Sequence, residues 1–159
     1  MSTAITGSQD RPAVDIALLI VRVIVGIIFV AHGAQKLLGA FGGPGLAAMV
    51  EMMGPLGYAV TIGEFFGGLG LIVGFLCRFS AASLIVIMLG AIGLVHGQHG
   101  FFLAYAPTDT YATAGFEYNL ALIGLLAPIL IAGPGSLAIG RMLPLPKSAG
   151  TGRPIILLE

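Results

Sequence analysis

Four long runs of mostly apolar residues constrain this chain more than any other feature of its sequence. A hydrocarbon core of about 30 Å takes roughly 20 helical residues to cross. Inside it, backbone N–H and C=O groups must be satisfied within the spanning element itself. The runs extend from about Asp15 to Lys36, Tyr58 to Cys77, Phe79 to Gly97 and Glu117 to Ile139. They predict an all-α fold, an integral membrane four-helix bundle over residues 15–139. A polar N-terminal segment, residues 1–14, precedes it, and an irregular Pro- and Gly-rich tail, residues 140–159, follows. Charged residues make up 9% of the chain, against about 25% in a soluble domain, so the lipid bilayer is the first expected partner.

The connections set the order and orientation of the spans. Arg78 and its neighbours alone separate the second run from the third, which predicts a tight antiparallel hairpin turning at Arg78. Between the first two spans, Gly39 to Gly45 cannot continue a helix, whereas Leu46 to Met53 can form a short amphipathic one lying on the membrane. The third connection, Gln98 to Phe116, carries Phe101, Phe102, Tyr105, Tyr111 and Phe116, a composition suited to the headgroup region. Arg11, Arg78, Arg141, Lys147 and Arg153 fall on one side and Lys36 on the other. Positive residues stay on the cytoplasmic face, so both termini are expected on the cytoplasmic side.

Several function classes are excluded at this point. Seven basic and seven acidic side chains cancel, leaving no basic stripe for nucleic acid. A single cysteine, Cys77, rules out an intramolecular disulfide and a cysteine-ligated zinc or iron–sulfur site. No Gly-x-Gly-x-x-Gly and no Cys-x-x-Cys-His string occurs, so no intrinsic cofactor is expected. The first apolar run has no small-residue cleavage site after it and is expected to be kept as a span.

Glycine spacing indicates how the spans pack, because helices in lipid associate through small residues at close approach. Gly63, Gly67, Gly70 and Gly74 share one face of the second span, and Gly90, Gly93 and Gly97 one face of the third. On the first span, Gly26 and Gly33 share a stripe with Arg22, Phe29 and Lys36.

Ionisable residues in the hydrocarbon region cost about 2.5 to 3.5 kcal/mol each at a helix centre, so each requires a reason. Arg22, His32, Lys36, Glu64, His96 and Glu117 are the candidates. Counting about 1.5 Å per residue inward from the outer span ends puts His32 and Glu64 at similar depth, roughly 6 to 9 Å below the interface. His96 and Glu117 fall close to that interface on the other two spans. His32 and Glu64 are thus expected to reach each other, or one shared ligand, as a proton-handling pair. Arg22 lies ten residues from His32. It is read as a structural charge that reaches inner-leaflet phosphates or helix-end carbonyls, and Arg78 as an interface charge. His96, Glu117, Lys36, Phe29, Phe65 and Tyr118 are candidate ligand contacts. A metal is not expected, because the potential ligands come from four separate helices with no Glu-x-x-His pair. A quinone suits the set better: its oxygens need polar partners, its ring apolar walls and its tail access to lipid.

These residues resemble a known family. Arg22-x3-Gly26-x2-Phe29-x2-His32-Gly33-x2-Lys36 and Phe41-Gly42-Gly43-x-Gly45 match the opening of the DoxX family of small bacterial membrane proteins. Glu64-x2-Gly67-Gly68, Gly74, Arg78, His96, Glu117-Tyr118-Asn119 and Gly133-Pro134-Gly135 follow in the same order. The acidic residue usual after the terminal Gly-Pro-Gly-x-Ser is replaced here by Ala138 and Ile139. The resemblance implies a four-helix, multi-pass bundle in a bacterial inner membrane and a role in quinone-linked electron transfer or oxidative-stress defence, beside a membrane or peripheral redox protein. The competing expectation is a non-catalytic module that docks a partner protein or a second copy through its glycine faces and outer loops. A solute carrier is disfavoured by the lack of inverted halves.

Overall fold

The computed structural model describes residues 11–103 and 114–141, and among these every regular element is helical. Tyr105, Tyr111, Lys147 and Arg153 lie outside the described residues. Helix α1 spans Arg11–Leu38, α2 Gly45–Met53, α3 Pro55–Val73, α4 Cys77–Ala91 and α5 Glu117–Ala132. A π-helical turn, Ile92–His96, and a 3-10 turn, Gly97–His99, prolong α4.

Three stretches are long and apolar enough to cross a membrane: Pro12–Leu38, Pro55–Val73 and Cys77–His99. The fourth expected span is shorter than its apolar run suggests. Helix α5 holds 16 residues, about 24 Å of rise. It stops at Gly133, whose φ of 87° suits glycine, so the run to Ile139 is helix plus a folded-back segment. Conversely, α1 starts before Asp15, since Pro12 in its first turn has no N–H that the helix needs.

The hairpin also turns earlier than expected. Gly74 ends α3 in the left-handed conformation (φ 81°), and the N–H groups of Gly74 and Phe75 both donate to the Gly70 carbonyl at 2.9 Å. This glycine-capped motif closes α3, and Leu76, with φ 51°, completes the turn. Arg78 therefore belongs to the first turn of α4. Its guanidinium lies against Gly133, where an added Cβ would be 3.3 Å from Nε, at the C-terminal end of α5 that favours a cation.

The most extensive packing is α1 on α3, followed by α4 on α5 and α3 on α4; α5 also touches α1, so these four helices close a ring. Helix α2 packs on α3 and α1. Val25, Phe29, Leu71, Leu84, Met88, Leu122 and Leu126 fill the centre. The α1–α3 seam is a contact between backbones: a Cβ on Gly33 would lie 2.5 Å from Phe65 N, and one on Gly68 2.8 Å from Val30 N and from Gly26 O. Gly63, Gly67 and Gly70 meet Ile87, Leu84 and Ser80 of α4, as their shared face suggests. Gly90 and Gly93 do not pack on another helix, since nothing lies within 4 Å of a Cβ placed on either, and Gly97 meets only Ile92 of its own segment.

At the end of the bundle that holds the α3–α4 turn, hereafter the terminal end, the chain after α5 folds back across the helices. Ser136 donates from N and Oγ to the two carboxylate oxygens of Asp15 at 2.8 and 2.5 Å, and Gly140 N–H donates to the Gly74 carbonyl at 2.9 Å. Arg22 is buried and donates to the carbonyls of Leu71 (3.4 Å) and Leu137. Arg22 thus bonds a carbonyl near the end of α3 and fastens the segment after α5 to α1 and α3.

The seam predicts unequal costs for enlarging its glycines. Gly33→Leu and Gly68→Leu are expected to lose well beyond the 1–3 kcal/mol usual for overpacking, because backbone rather than flexible side chain stands in the way. Gly90→Ala is expected to be neutral or to gain up to about 1 kcal/mol of helix propensity. Thermal unfolding in mild detergent, followed by circular dichroism, checks both.

Candidate functional site

The two cations on the buried stripe of α1 both reach α3. Lys36 follows Gly33 by one turn, and Glu64 directly precedes Phe65, so the close seam at Gly33–Phe65 brings the two side chains face to face. Lys36 Nζ donates to Glu64 Oε1 at 2.5 Å and Oε2 at 2.6 Å. The Glu64 side chain is 3% exposed and that of Lys36 25%. Glu64 stands nine residues after Pro55 and nine before Val73, at the middle of α3. It is therefore about 14 Å from either helix end, deeper than a span starting at Tyr58 implies. Lys36 lies two residues from the end of α1 and turns its aliphatic stem inward.

His32 is consequently not the partner of Glu64. Its Nδ1 donates to the Ile28 carbonyl one turn earlier at 2.9 Å, and its ring lies 6.2 Å from that of Tyr118. The expectation of a direct His32–Glu64 contact fails because a carboxylate at the centre of α3 is better satisfied by a cation long enough to reach it. What the two residues share is a space.

A cavity of about 800 Å³ opens between α1, α3, the end of α4 and the start of α5, at the end opposite the terminal one. His32, Lys36, Glu64, His96 and Tyr118 line it, and Phe29, Met88 and Leu122 supply apolar wall. The π-helical turn ends at His96, and such turns re-aim side chains at functional sites. His96 Nδ1 donates to the Ala114 carbonyl at 2.8 Å, which holds the ring in place. Tyr118 and the buried Asn119 enter from the first turn of α5, and the Asn119 amide nitrogen donates to Met88 Sδ at 3.5 Å.

Two expected contacts do not line the cavity. Glu117 Oε1 accepts the Leu103 N–H at 2.7 Å, and its own N–H donates to the Phe101 carbonyl at 2.9 Å, so it ties the third connection to α5. Phe65 packs edge-on to Phe66 at 5.3 Å. Gln35, Phe41 and Asn119 are lining residues that the sequence pattern does not single out as ligand contacts. Phe41 is 80% exposed with φ 53°. An aromatic residue held in that region next to four nearby glycines was the available sequence signal. A larger apolar groove of about 1140 Å³ runs along the outer faces of α3 and α4. Its polar side chains are Tyr58, Ser80 and Ser83, and it gathers no histidine, lysine or carboxylate. Among the described residues, no group of three His, Cys, Asp or Glu side chains is placed to hold a metal.

The family model for DoxX matches residues 17–97 of this chain. The chain belongs to the DoxX family. Inner membrane protein YqjF of Escherichia coli (strain K12) is 29% identical to it over 132 residues, covering 81% of this chain and 93% of the relative. No solved structure matches it. Together with its apolar helices, these similarities make it a multi-pass protein of the inner membrane. The DoxX match contains His32, Lys36, Glu64 and His96, whereas Tyr118 and Asn119 lie beyond it. The charged part of the cavity is thus within the family segment, and α5 completes it.

The ion pair predicts an asymmetric response to mutation. Lys36→Met strands a deeply buried carboxylate and is expected to cost about 3 kcal/mol or more, as breaking buried pairs does. Glu64→Gln leaves a partly exposed ammonium free to move outward and should cost less. The double variant should recover part of the Lys36→Met loss. A double-mutant cycle on thermal stability in detergent measures all three.

Proposed function

We propose that this protein is the membrane subunit of a quinone-linked redox complex, and that the cavity between α1, α3, α4 and α5 receives the quinone ring. The cavity's make-up carries this reading: one space of about 800 Å³ that combines apolar walls with His32, Lys36, Glu64, His96 and Tyr118. Ligand pockets are about 300–1,000 Å³ and pair apolar lining with a few convergent polar groups. Ionisable residues within membrane helices mark functional pathways. A six-membered ring would lie against the apolar wall of Phe29, Met88 and Leu122, with its oxygens toward the polar side chains. When bound, a quinone supplies two-electron chemistry coupled to protons. The residues of this chain would position its ring and hold the protons. Lys36 and Glu64 form a pair within which a proton can transfer over 2.5–2.6 Å without leaving the bundle, and His96 lines the same space.

A second reading is a docking module, supported by Gly90, Gly93 and Gly124, which meet no other atoms within 4 Å and leave α4 and α5 open to close approach by another helix. In that case the ion pair only fixes bundle geometry, and Glu64→Gln would leave partner function intact.

Orientation belongs to the same proposal. With Arg78 and Arg141 at the terminal end and Lys36 at the other, the cavity lies in the outer half of the membrane and both termini are cytoplasmic. A reporter fused after Glu159 should report cytoplasm, and one inserted near Thr108 the exterior; the opposite pattern reverses the topology.

The functional test is quinone content after purification in mild detergent. Wild-type protein should retain quinone in stoichiometric amount or rebind a short-tailed one. Glu64→Gln should weaken that binding about tenfold or more, as expected for the loss of a charged group from the site. Failure of wild-type protein to bind any quinone would sink the reading.

A further inference from the structure

The polar groups of the cavity differ in what they leave free, and the difference selects between ligands. His32 Nδ1 lies 2.9 Å from the Ile28 carbonyl oxygen and His96 Nδ1 2.8 Å from that of Ala114. A carbonyl oxygen only accepts, so each Nδ1 carries a hydrogen, and in the neutral ring each Nε2 is a bare acceptor. Asn119 donates one amide hydrogen to Met88 Sδ at 3.5 Å, and its carbonyl oxygen adds an acceptor. The strongest donor of the cavity, Lys36, spends two of its three N–H groups on the oxygens of Glu64. The Tyr118 hydroxyl and the Gln35 amide can act either way. Backbone bonding has therefore made both imidazoles acceptors toward the cavity.

A ring that bears only carbonyl oxygens meets these two nitrogens lone pair to lone pair. A ring that bears hydroxyls satisfies them, since each O–H donates to an imidazole nitrogen and loses little on leaving water. We propose that the cavity binds the dihydroxy, reduced form of a quinone-class ring in preference to the dicarbonyl, oxidised form, with His32 and His96 supplying the acceptors at Nε2. The inference rests on the quinone reading above and adds the redox form to it. The tautomers that carry it are imposed by local backbone geometry: the i–4 carbonyl within α1 for His32, and the Ala114 carbonyl, three residues before α5, for His96.

The test is the affinity of wild-type protein in lipid nanodiscs for a short-tailed benzoquinol and for the matching benzoquinone. Binding is measured anaerobically by equilibrium partition against nanodiscs without protein. The quinol should bind about tenfold or more tightly, the equivalent of one to two net hydrogen bonds. The His32→Phe/His96→Phe double variant should bring the ratio to about one by lowering quinol affinity, because phenyl rings keep the apolar walls and remove the acceptors. Equal or tighter binding of the quinone by wild-type protein overturns the inference and leaves the quinone site standing. Binding of neither form overturns both. A quinol preference that persists in the double variant overturns the assignment to the two histidines. Should that variant lose its helical circular dichroism, the wild-type ratio still decides the preference, and the single variants decide the residues.

Discussion

Helix α1 meets α3 backbone to backbone, and the polar interior of this protein depends on that contact. A Cβ on Gly33 would lie 2.5 Å from Phe65 N, and one on Gly26 2.8 Å from Gly68 O. Lipid offers no hydrophobic drive for helix association, so close packing of small residues supplies the attraction. Each glycine contact lies about one turn from a cation of the same stripe: Gly33 beside Lys36, Gly26 beside Arg22. The seam brings Lys36 onto Glu64 and Arg22 onto the Leu71 carbonyl. Without it, Lys36 would lose Glu64 and Arg22 would keep only the Leu137 carbonyl.

The two buried cations serve the opposite ends of the bundle in different ways. At the terminal end, Arg22 bonds to neutral carbonyls of α3 and of the segment after α5, Asp15 holds Ser136, and Gly140 bonds to Gly74. Those groups close the end. At the other end, Lys36 bonds to a carboxylate beside a cavity, where α1 and α5 are in limited contact and the histidines hang from backbone carbonyls. Fork-shaped guanidinium suits the first task, since it can hold two carbonyls at once. A flexible ammonium that can give up a proton suits the second.

The acceptor character of the two histidines has the same origin. Main-chain carbonyls before α5 and within α1 take the Nδ1 hydrogens of both, so the backbone sets what chemistry the side chains can offer. Ion pairing is carried by Lys36 and Glu64, and hydrogen-bond acceptance at Nε2 by His32 and His96. The fold separates these two kinds of contact although all four residues line one space.

Hydropathy and spacing were enough to establish a helical membrane bundle, the face that α1 buries and the glycines that join α3 to α4, because each of these depends on one helix's own periodicity. The same sequence pattern identified His32, Lys36, Glu64 and His96 as residues needing a reason, since charge in an apolar run is costly wherever it is packed. Pairing was another matter. Rise along an axis places His32 and Glu64 at one depth, but it carries no information about the rotation of each helix or how far a side chain can reach. Lys36 sits near the end of its helix and still bridges to the centre of α3. Likewise Gly90 and Gly93 share a face but meet no neighbour, and Glu117 turns to the third connection instead of the cavity. Partner choice is a property of several helices packed together, and it depends on crossing geometry that no single span encodes.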